Sequence, residues 1–297
     1  MAANIRDLYL AVTTENRRHS GTKNTIVLIV TYDGIDRLHH TLGDPNQREL
    51  NEGETKLFSM NLDLPHGTTK YGRINPDRLT NSSIRIGIRG RDRWRPEKIL
   101  IWGIDWDGNW VPLGYEPEVV FPHESGTDCG FLSIDPNDDS VYDPTLEYPF
   151  PGSRISMPVR LLKAGNNKTL IKSIDLIVTT KNEKYSGTAS PIYFKIIDNN
   201  GVVVDWQIPG LPQHGQDKGQ TFFHKVPIYR PFRQVDIKEM YLEIAGMDLW
   251  KVESAFAFGF ADSTTGHSCV NLVHSPSLDA RLSTDRSEGE PRLNLLK

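Results

Sequence analysis

The stretch Val12-Thr13-Thr14-Glu15-Asn16, with Ser20-Gly21-Thr22 close behind it, returns as Val178-Thr179-Thr180-Lys181-Asn182 with Ser186-Gly187-Thr188. The shift is 166 positions throughout, from Ser20 to Ser186 for example. An apolar run follows in both places, Ile26-Val27-Leu28-Ile29-Val30 in the first and Ile192-Tyr193-Phe194-Lys195-Ile196 in the second. The runs end in turn signals, Tyr32-Asp33-Gly34 and Asn199-Asn200-Gly201. Shared spacing over this length marks an internal duplication, so the fold is read as two copies of one unit.

A second pair of stretches extends the match. Ile84-Arg85-Ile86-Gly87-Ile88-Arg89-Gly90 alternates and leads to Asp92 and Trp94, and Met240 to Gly246 alternates likewise and leads to Asp248 and Trp250. Alternation turns the isoleucines to a core and the arginines outward. Between the anchors, Gly53-Glu54-Thr55 answers Gly219-Gln220-Thr221. The shift from Trp94 to Trp250 is 156 positions. Copy two is therefore the shorter, and the loop Pro65 to Ser83 is where length changes at little cost. Helical periodicity is almost absent, and short apolar stretches are punctuated by Gly, Pro, Asn and Asp. The expected class is all-β, as two tandem antiparallel β-sandwiches with an irregular connector. Copy one takes residues 1–117, an acidic, proline-rich connector with an opening hairpin 118–172, copy two 173–275, and a polar, loosely packed tail 276–297. In that hairpin, Pro158 to Leu162 pairs across a turn at Gly165-Asn166-Asn167 with Leu170-Ile171. Asp33-Gly34 and Asp107-Gly108 read as two-residue hairpin turns.

With 297 residues the chain has room for two cores, and a net charge of -4 argues against a nucleic-acid partner, which needs a basic surface. The longest apolar run, Ile26 to Val30, is far short of the roughly 20 residues that span a bilayer, so no transmembrane segment is expected. The N-terminus lacks a basic start, apolar middle and small-residue cleavage site, which sets the expected location as cytoplasmic, or released without a signal peptide. Cys129 and Cys269 lie in different parts of the chain and read as free thiols.

A strand ending in Thr, a polar loop closing on small-Gly-Thr, a β-rich strand and a later Gly-x-Asp-x-Trp resemble the PLAT domain of lipoxygenases, pancreatic lipases and clostridial alpha-toxin. The resemblance covers residues 7 to about 117 and 173 to about 275. It implies eight-stranded β-sandwiches serving as non-catalytic modules that steer enzymes or toxins to membranes, lipids or protein partners. It also implies that calcium can sit in loops at one end. This sequence departs from the family there, with Lys23-Asn24 and Ala189-Ser190 where an Asp is common after Gly-Thr. Calcium takes about six to eight oxygens, several of them anionic. Glu15, Asn16 and Asn24 make at most one weak calcium site in copy one, and no other cofactor is expected.

No nucleophile elbow, zinc-protease motif, phosphate-cradling glycine loop or Cys-x-x-Cys occurs. His123, Glu124, Asp128 and Cys129 read as a plain loop, and Asp135 to Asp139 as an acidic turn, lacking the Gly and Glu of a calcium loop. His39-His40 reads as a surface pair. Binding candidates are the basic cluster Arg85, Arg89, Arg91 and Arg93, whose guanidinium groups suit phosphate or carboxylate, and Trp106 and Trp110 around a hairpin tip, which suit a membrane interface or partner groove. Trp94 and Trp250 are expected in the two cores. The expected function is a non-enzymatic binding or targeting module for a lipid surface or a protein partner. A structural or accessory subunit of a larger assembly, and an enzyme on a β-sandwich scaffold, stand as alternatives.

Overall fold

The computed structural model describes residues 4–16, 21–22, 25–42, 50–62, 73–89, 94–119, 156–209, 219–261 and 268–296. The described residues are all-β, with 3-10 turns at Pro76–Arg78 and Gln234–Asp236. No helix among them is long and apolar enough to cross a membrane. The chain divides into two compact units, Met1–Leu162 and Lys163–Lys297.

Unit 1 holds β1 (Ile5–Thr14), β2 (Thr25–Tyr32), β3 (Ile35–Leu42), β4 (Thr55–Asn61), β5 (Ile84–Arg89), β6 (Pro96–Asp105), β7 (Trp110–Glu116) and β8 (Ser156–Pro158). One run of paired strands has the order β7-β6-β1-β4 and a second sheet the order β3-β2-β5-β8. Period-2 patterning does the sorting: Leu8, Leu10 and Val12 of β1 share one buried cluster with Ile26, Leu28 and Val30 of β2 and with Ile84, Ile86 and Ile88 of β5. Trp94 joins that cluster, fully buried.

Unit 2 holds β9 (Lys163–Ala164), β10 (Leu170–Ile171), β11 (Ser173–Thr180), β12 (Ile192–Asp198), β13 (Gly201–Ile208) and β14 (Thr221–Val226). It continues with β15 (Phe232–Arg233), β16 (Ile237–Ile244), β17 (Trp250–Phe260), β18 (Ser268–Ser275), β19 (Ala280–Leu282) and β20 (Arg292–Asn294). Paired strands run β14-β11-β17-β18-β9, with β19 also on β17. A second sheet runs β13-β12-β16-β20, and β10 pairs with β15. Ala255 and Ala257 of β17 face the core with Trp250. The alternating Phe256, Phe258 and Phe260 are buried too. A strand buried on both faces loses the polar half of its alternation, which is why this stretch reads as a continuous apolar run.

Three expectations are corrected. Pro158 to Leu162 does not open a hairpin for the second copy, since β8 pairs with β5, Val159 is buried in the unit 1 core, and Tyr115 N donates to Arg160 O at 2.9 Å. The tail is not loose, because β20 pairs with β16, and Leu282 and Leu295 lie in the unit 2 core. Both segments complete an open sheet edge in the same way, with Val159 N donating to Ile84 O at 2.9 Å and Leu295 N to Met240 O at 2.8 Å. Asp107-Gly108 is not a two-residue turn. Asp105 and Asn109 close a longer loop, in which Gly108 N donates to Asp105 O at 3.0 Å and only Gly108, at φ 82, is left-handed. Asp33-Gly34 does have the expected geometry, with φ 56 and 70.

An ion pair closes the β12–β13 hairpin. Asp198, its side chain 1% exposed, accepts Arg230 Nη1 at 2.7 Å and Nη2 at 2.5 Å. The Arg230 guanidinium, helped by the Asn200 N–H, holds the Asp198 carboxyl below its ordinary value. A carboxylate lowered in the folded state stabilises above its unfolded pKa, about 4, and that contribution fades as pH falls through the lower folded value. Acid titration of stability between roughly pH 5 and 2 is therefore expected to be steeper in the parent than in Asp198→Asn. Equal slopes in denaturant midpoint against pH would refute this.

Candidate functional site

The loops that follow β1 and β11 are built alike. Trp94 Nε1 donates to Thr14 Oγ1 at 3.2 Å, and Trp250 Nε1 to Thr180 Oγ1 at 3.0 Å. Gly53 and Gly219, at φ 69 and 72, lie against the side chains of Asn16 and Asn182, leaving 3.2 Å to a would-be Cβ. Glu15 N donates to Arg95 O at 3.0 Å and Lys181 N to Lys251 O at 2.9 Å.

The carboxylates of these loops meet cations of the chain itself. Glu15 forms an ion pair with Arg95. Glu183 lies 2.8 Å from Lys181 Nζ and 3.2 Å from Lys251 Nζ, and Lys181 also reaches Asp279 at 2.6 Å. Asp279 and Glu183, as acceptors, push the Lys181 amine up to about 12, and Lys181 with Lys251 holds Glu183 low. Of the expected calcium ligands, Glu15 and Asn16 sit at this end and Asn24 lies outside the described residues. Among the described residues no three His, Cys, Asp or Glu side chains converge in a metal-holding group.

Two large apolar side chains stand out of the same end of unit 2. The loop 181–191 is tied to the loop 245–249: Thr188 Oγ1 and Ala189 N both donate to Asp248 Oδ2 at 2.9 Å, and Ala245 N donates to Pro191 O at 2.9 Å. Ser186 Oγ donates to Lys181 O and Glu183 O, which tightens the turn just before the Gly-Thr. Tyr185, at φ 61, and Met247 are each 75% exposed. The Lys184 amine lies 4.7 Å from the Tyr185 ring centroid. Sequence reasoning passed over both residues. Their signal is a large apolar side chain in a loop that is otherwise polar, Lys181-Asn182-Glu183-Lys184-Tyr185 and Ala245-Gly246-Met247-Asp248.

Of the expected basic cluster, only the Arg85 side chain lies among the described residues. Arg85 Nε donates to Ser156 Oγ and Arg85 Nη2 to Ser156 O, both at 2.9 Å, so this guanidinium clamps β8 onto β5. Arg89 ends β5, but its side chain, like Arg91 and Arg93, lies outside the described residues, as do His123, Glu124, Asp128, Cys129 and Asp135 to Asp139. His39 and His40 lie on β3, half-buried. Cys269 is a buried thiol, pushed well up by burial.

Trp106 stands 49% exposed at the β6–β7 turn, and Trp110 is half-buried. The buried Asp105 carboxylate makes this turn rigid. Its Oδ1 accepts Asp107 N at 3.0 Å and Asn109 N at 2.8 Å, and Oδ2 accepts Asn109 Nδ2 at 3.2 Å.

No family model and no curated protein matches the sequence. Among solved structures, the chain is similar to the alpha toxin of Clostridium absonum and to the alpha-toxin of Clostridium perfringens from an avian strain. Each has a TM-score of 0.36 and 17% identity over 44% of this chain and 33% of the toxin. It is also similar to a LOX deletion variant in complex with arachidonate, with a TM-score of 0.30 and 14% identity over 42% of this chain and 16% of that one. The chain thus spans about a third of the toxins' length and about a sixth of the LOX. A likeness of this size sets neither activity nor ligand for this chain.

Proposed function

We propose that the chain is a tandem pair of PLAT-like β-sandwiches acting as a non-enzymatic module that binds a lipid surface through the Tyr185–Met247 end of unit 2. The observation that carries this reading is two large, mostly exposed apolar side chains on loops that hydrogen bonds hold in place. A monomeric soluble surface gains nothing from such a pair, whereas a bilayer interface takes both tips without reorganising the loops. Lys184 beside the ring adds attraction to anionic headgroups. The tandem part of the proposal rests on the repeated Trp–Thr bonds, the repeated left-handed glycines and the repeated return of a late strand to β5 and β16.

Calcium is not needed in this reading, because Glu15 and Glu183 are already matched by cations. Cosedimentation with phosphatidylcholine/phosphatidylserine vesicles tests it. Burial of even part of each side chain is worth over 1 kcal/mol, so Tyr185→Ser with Met247→Ser is expected to weaken binding by about tenfold or more. A calcium chelator is expected to change nothing. Binding equal to the parent in the double variant would reject the lipid reading.

A protein partner is favoured instead for the other exposed tip. Trp106 sits on a rigid turn beside Asp107, whose charge opposes an anionic bilayer, and a rigid tryptophan suits a partner groove.

A further inference from the structure

The β2–β3 hairpin of unit 1 gathers two arginines around one tyrosine and one carboxylate. Tyr32 is buried at the end of β2, and its hydroxyl donates to Arg73 O at 2.5 Å and accepts Asn75 N at 3.2 Å, so the ring is held at both faces of its hydroxyl. Arg37, on β3, places its Cζ 4.6 Å from the ring centroid, and Arg78 places its Cζ at 5.6 Å. Arg78 ends the 3-10 turn Pro76–Arg78, which Asn75 caps by accepting Asp77 N at 3.0 Å on Oδ1. The left-handed turn residue Asp33 points its carboxylate into the same space. Its Oδ2 lies 2.5 Å from Arg78 Nη2 and 3.7 Å from Arg37 Nη2.

One arginine suffices to pin a hairpin to a neighbouring loop. Here two guanidinium groups share one carboxylate oxygen. Arg37 Nε is shielded from solvent and has no acceptor among the described residues, so that cation is only partly hydrated and its field is less screened. Each guanidinium offers five N–H donors, and Asp33 Oδ2 takes few of them. Arg78 is half exposed, which opens the pair to solvent. Two forked donors, fixed by a rigid ring and a capped turn, match the several oxygens of a tetrahedral oxyanion better than they match one carboxylate.

We propose that Arg37 and Arg78, set on Tyr32, form a binding site for a phosphate group, with Asp33 as the resident competitor that the ligand displaces or joins. The site lies in unit 1 and stands apart from the lipid reading of unit 2. Its ligand is either the phosphate of a lipid headgroup or a soluble phosphate.

The test follows the Arg37 Nε–H and Gly34 N–H resonances of the full chain during titration with inorganic phosphate, against chloride at equal ionic strength. Saturable shifts with phosphate alone are expected. Arg78→Gln is expected to weaken binding by about tenfold or more, and Arg78→Lys, which keeps the charge and loses the fork, by less. Asp33→Asn keeps a residue that tolerates the left-handed turn and removes the competing charge, so it is expected to bind several-fold more tightly. Tyr185→Ser with Met247→Ser is expected to leave these shifts unchanged, which separates failure of this site from failure of the lipid reading.

Phosphatidylcholine vesicles with and without phosphatidic acid then distinguish the sources. Binding that depends on both phosphatidic acid and Arg78 assigns a headgroup. Phosphate shifts without Arg78-dependent vesicle binding assign a soluble ligand. Shifts reproduced by chloride, or unchanged affinity in Arg78→Gln, would overturn the site, and so would weaker binding in Asp33→Asn.

Discussion

Replacing Trp250 by alanine is expected to destabilise unit 2 by about 3–5 kcal/mol, the usual cost of emptying a fully buried aromatic site. Trp250 is 0% exposed, pairs with Leu282 across β17–β19, and shares one buried cluster with Val178, Ile192, Leu242 and Val252. These residues come from β11, β12, β16, β17 and β19, so no single element can move to fill the space. The indole also satisfies Thr180, itself fully buried, at 3.0 Å. Trp250→Phe retains most of the apolar contact and leaves that hydroxyl without its donor, at a cost of about 1–3 kcal/mol. Alanine should therefore cost more than phenylalanine, and Trp94 with Thr14 should behave in the same way in unit 1. Urea denaturation gives the order directly. A Trp250→Ala variant within about 1 kcal/mol of the parent would show that the ring is not the centre of this core.

Gly114→Val is expected to cost unit 1 about 1–3 kcal/mol by overpacking. A Cβ at Gly114 would lie 2.8 Å from Val159 Cγ1. Val159 cannot yield cheaply, because it is β-branched, fully buried and fixed by its N–H on Ile84 O at 2.9 Å. Just after it in the chain, Arg160 grips the Glu116 carboxylate through Nε at 3.0 Å and Nη2 at 2.8 Å, and Leu162 N donates to Leu113 O at 3.3 Å. The new side chain must therefore push the whole segment 156–162 from the β5 and β7 edges. Faster hydrogen exchange at Val159 N and Leu162 N should accompany the loss. Shortening the neighbour as well, in Gly114→Val with Val159→Ala, should recover part of it. A neutral Gly114→Val would mean that the segment does not seat on β7.

The strands, the two tryptophan cores and the Asp33-Gly34 turn were legible because each depends on a signal only a few residues long. Alternation in Ile84 to Ile88 sets which side chains share a face, and a left-handed Asp-Gly needs no distant partner. The Asp107-Gly108 misreading shows the limit of such signals. One dipeptide suits both a two-residue turn and a longer loop, and the choice fell to the Asp105 carboxylate, which binds three donors of its own loop.

The candidate site was less legible. Arg85 carries an alternating-strand signal for an outward cation, yet its use depends on Ser156, which lies 71 residues away. Tyr32, Arg37 and Arg78 look unremarkable along the chain, and only the hairpin and the capped 3-10 turn bring the two guanidinium groups to one ring.

The sequence alone determined the all-β class, the repeated motifs and the burial of Trp94 and Trp250, since periodicity and spacing are properties of neighbours in the chain. Tertiary structure decided where Ser156–Pro158 and Arg292–Asn294 belong. A three-residue strand has no period to read, and its place is set by whichever sheet edge is left with unpaired N–H and C=O groups. It likewise decided that Tyr185 and Met247 stand in solvent and that Asp198 meets Arg230, because exposure and ion pairing depend on distances that only the folded chain defines.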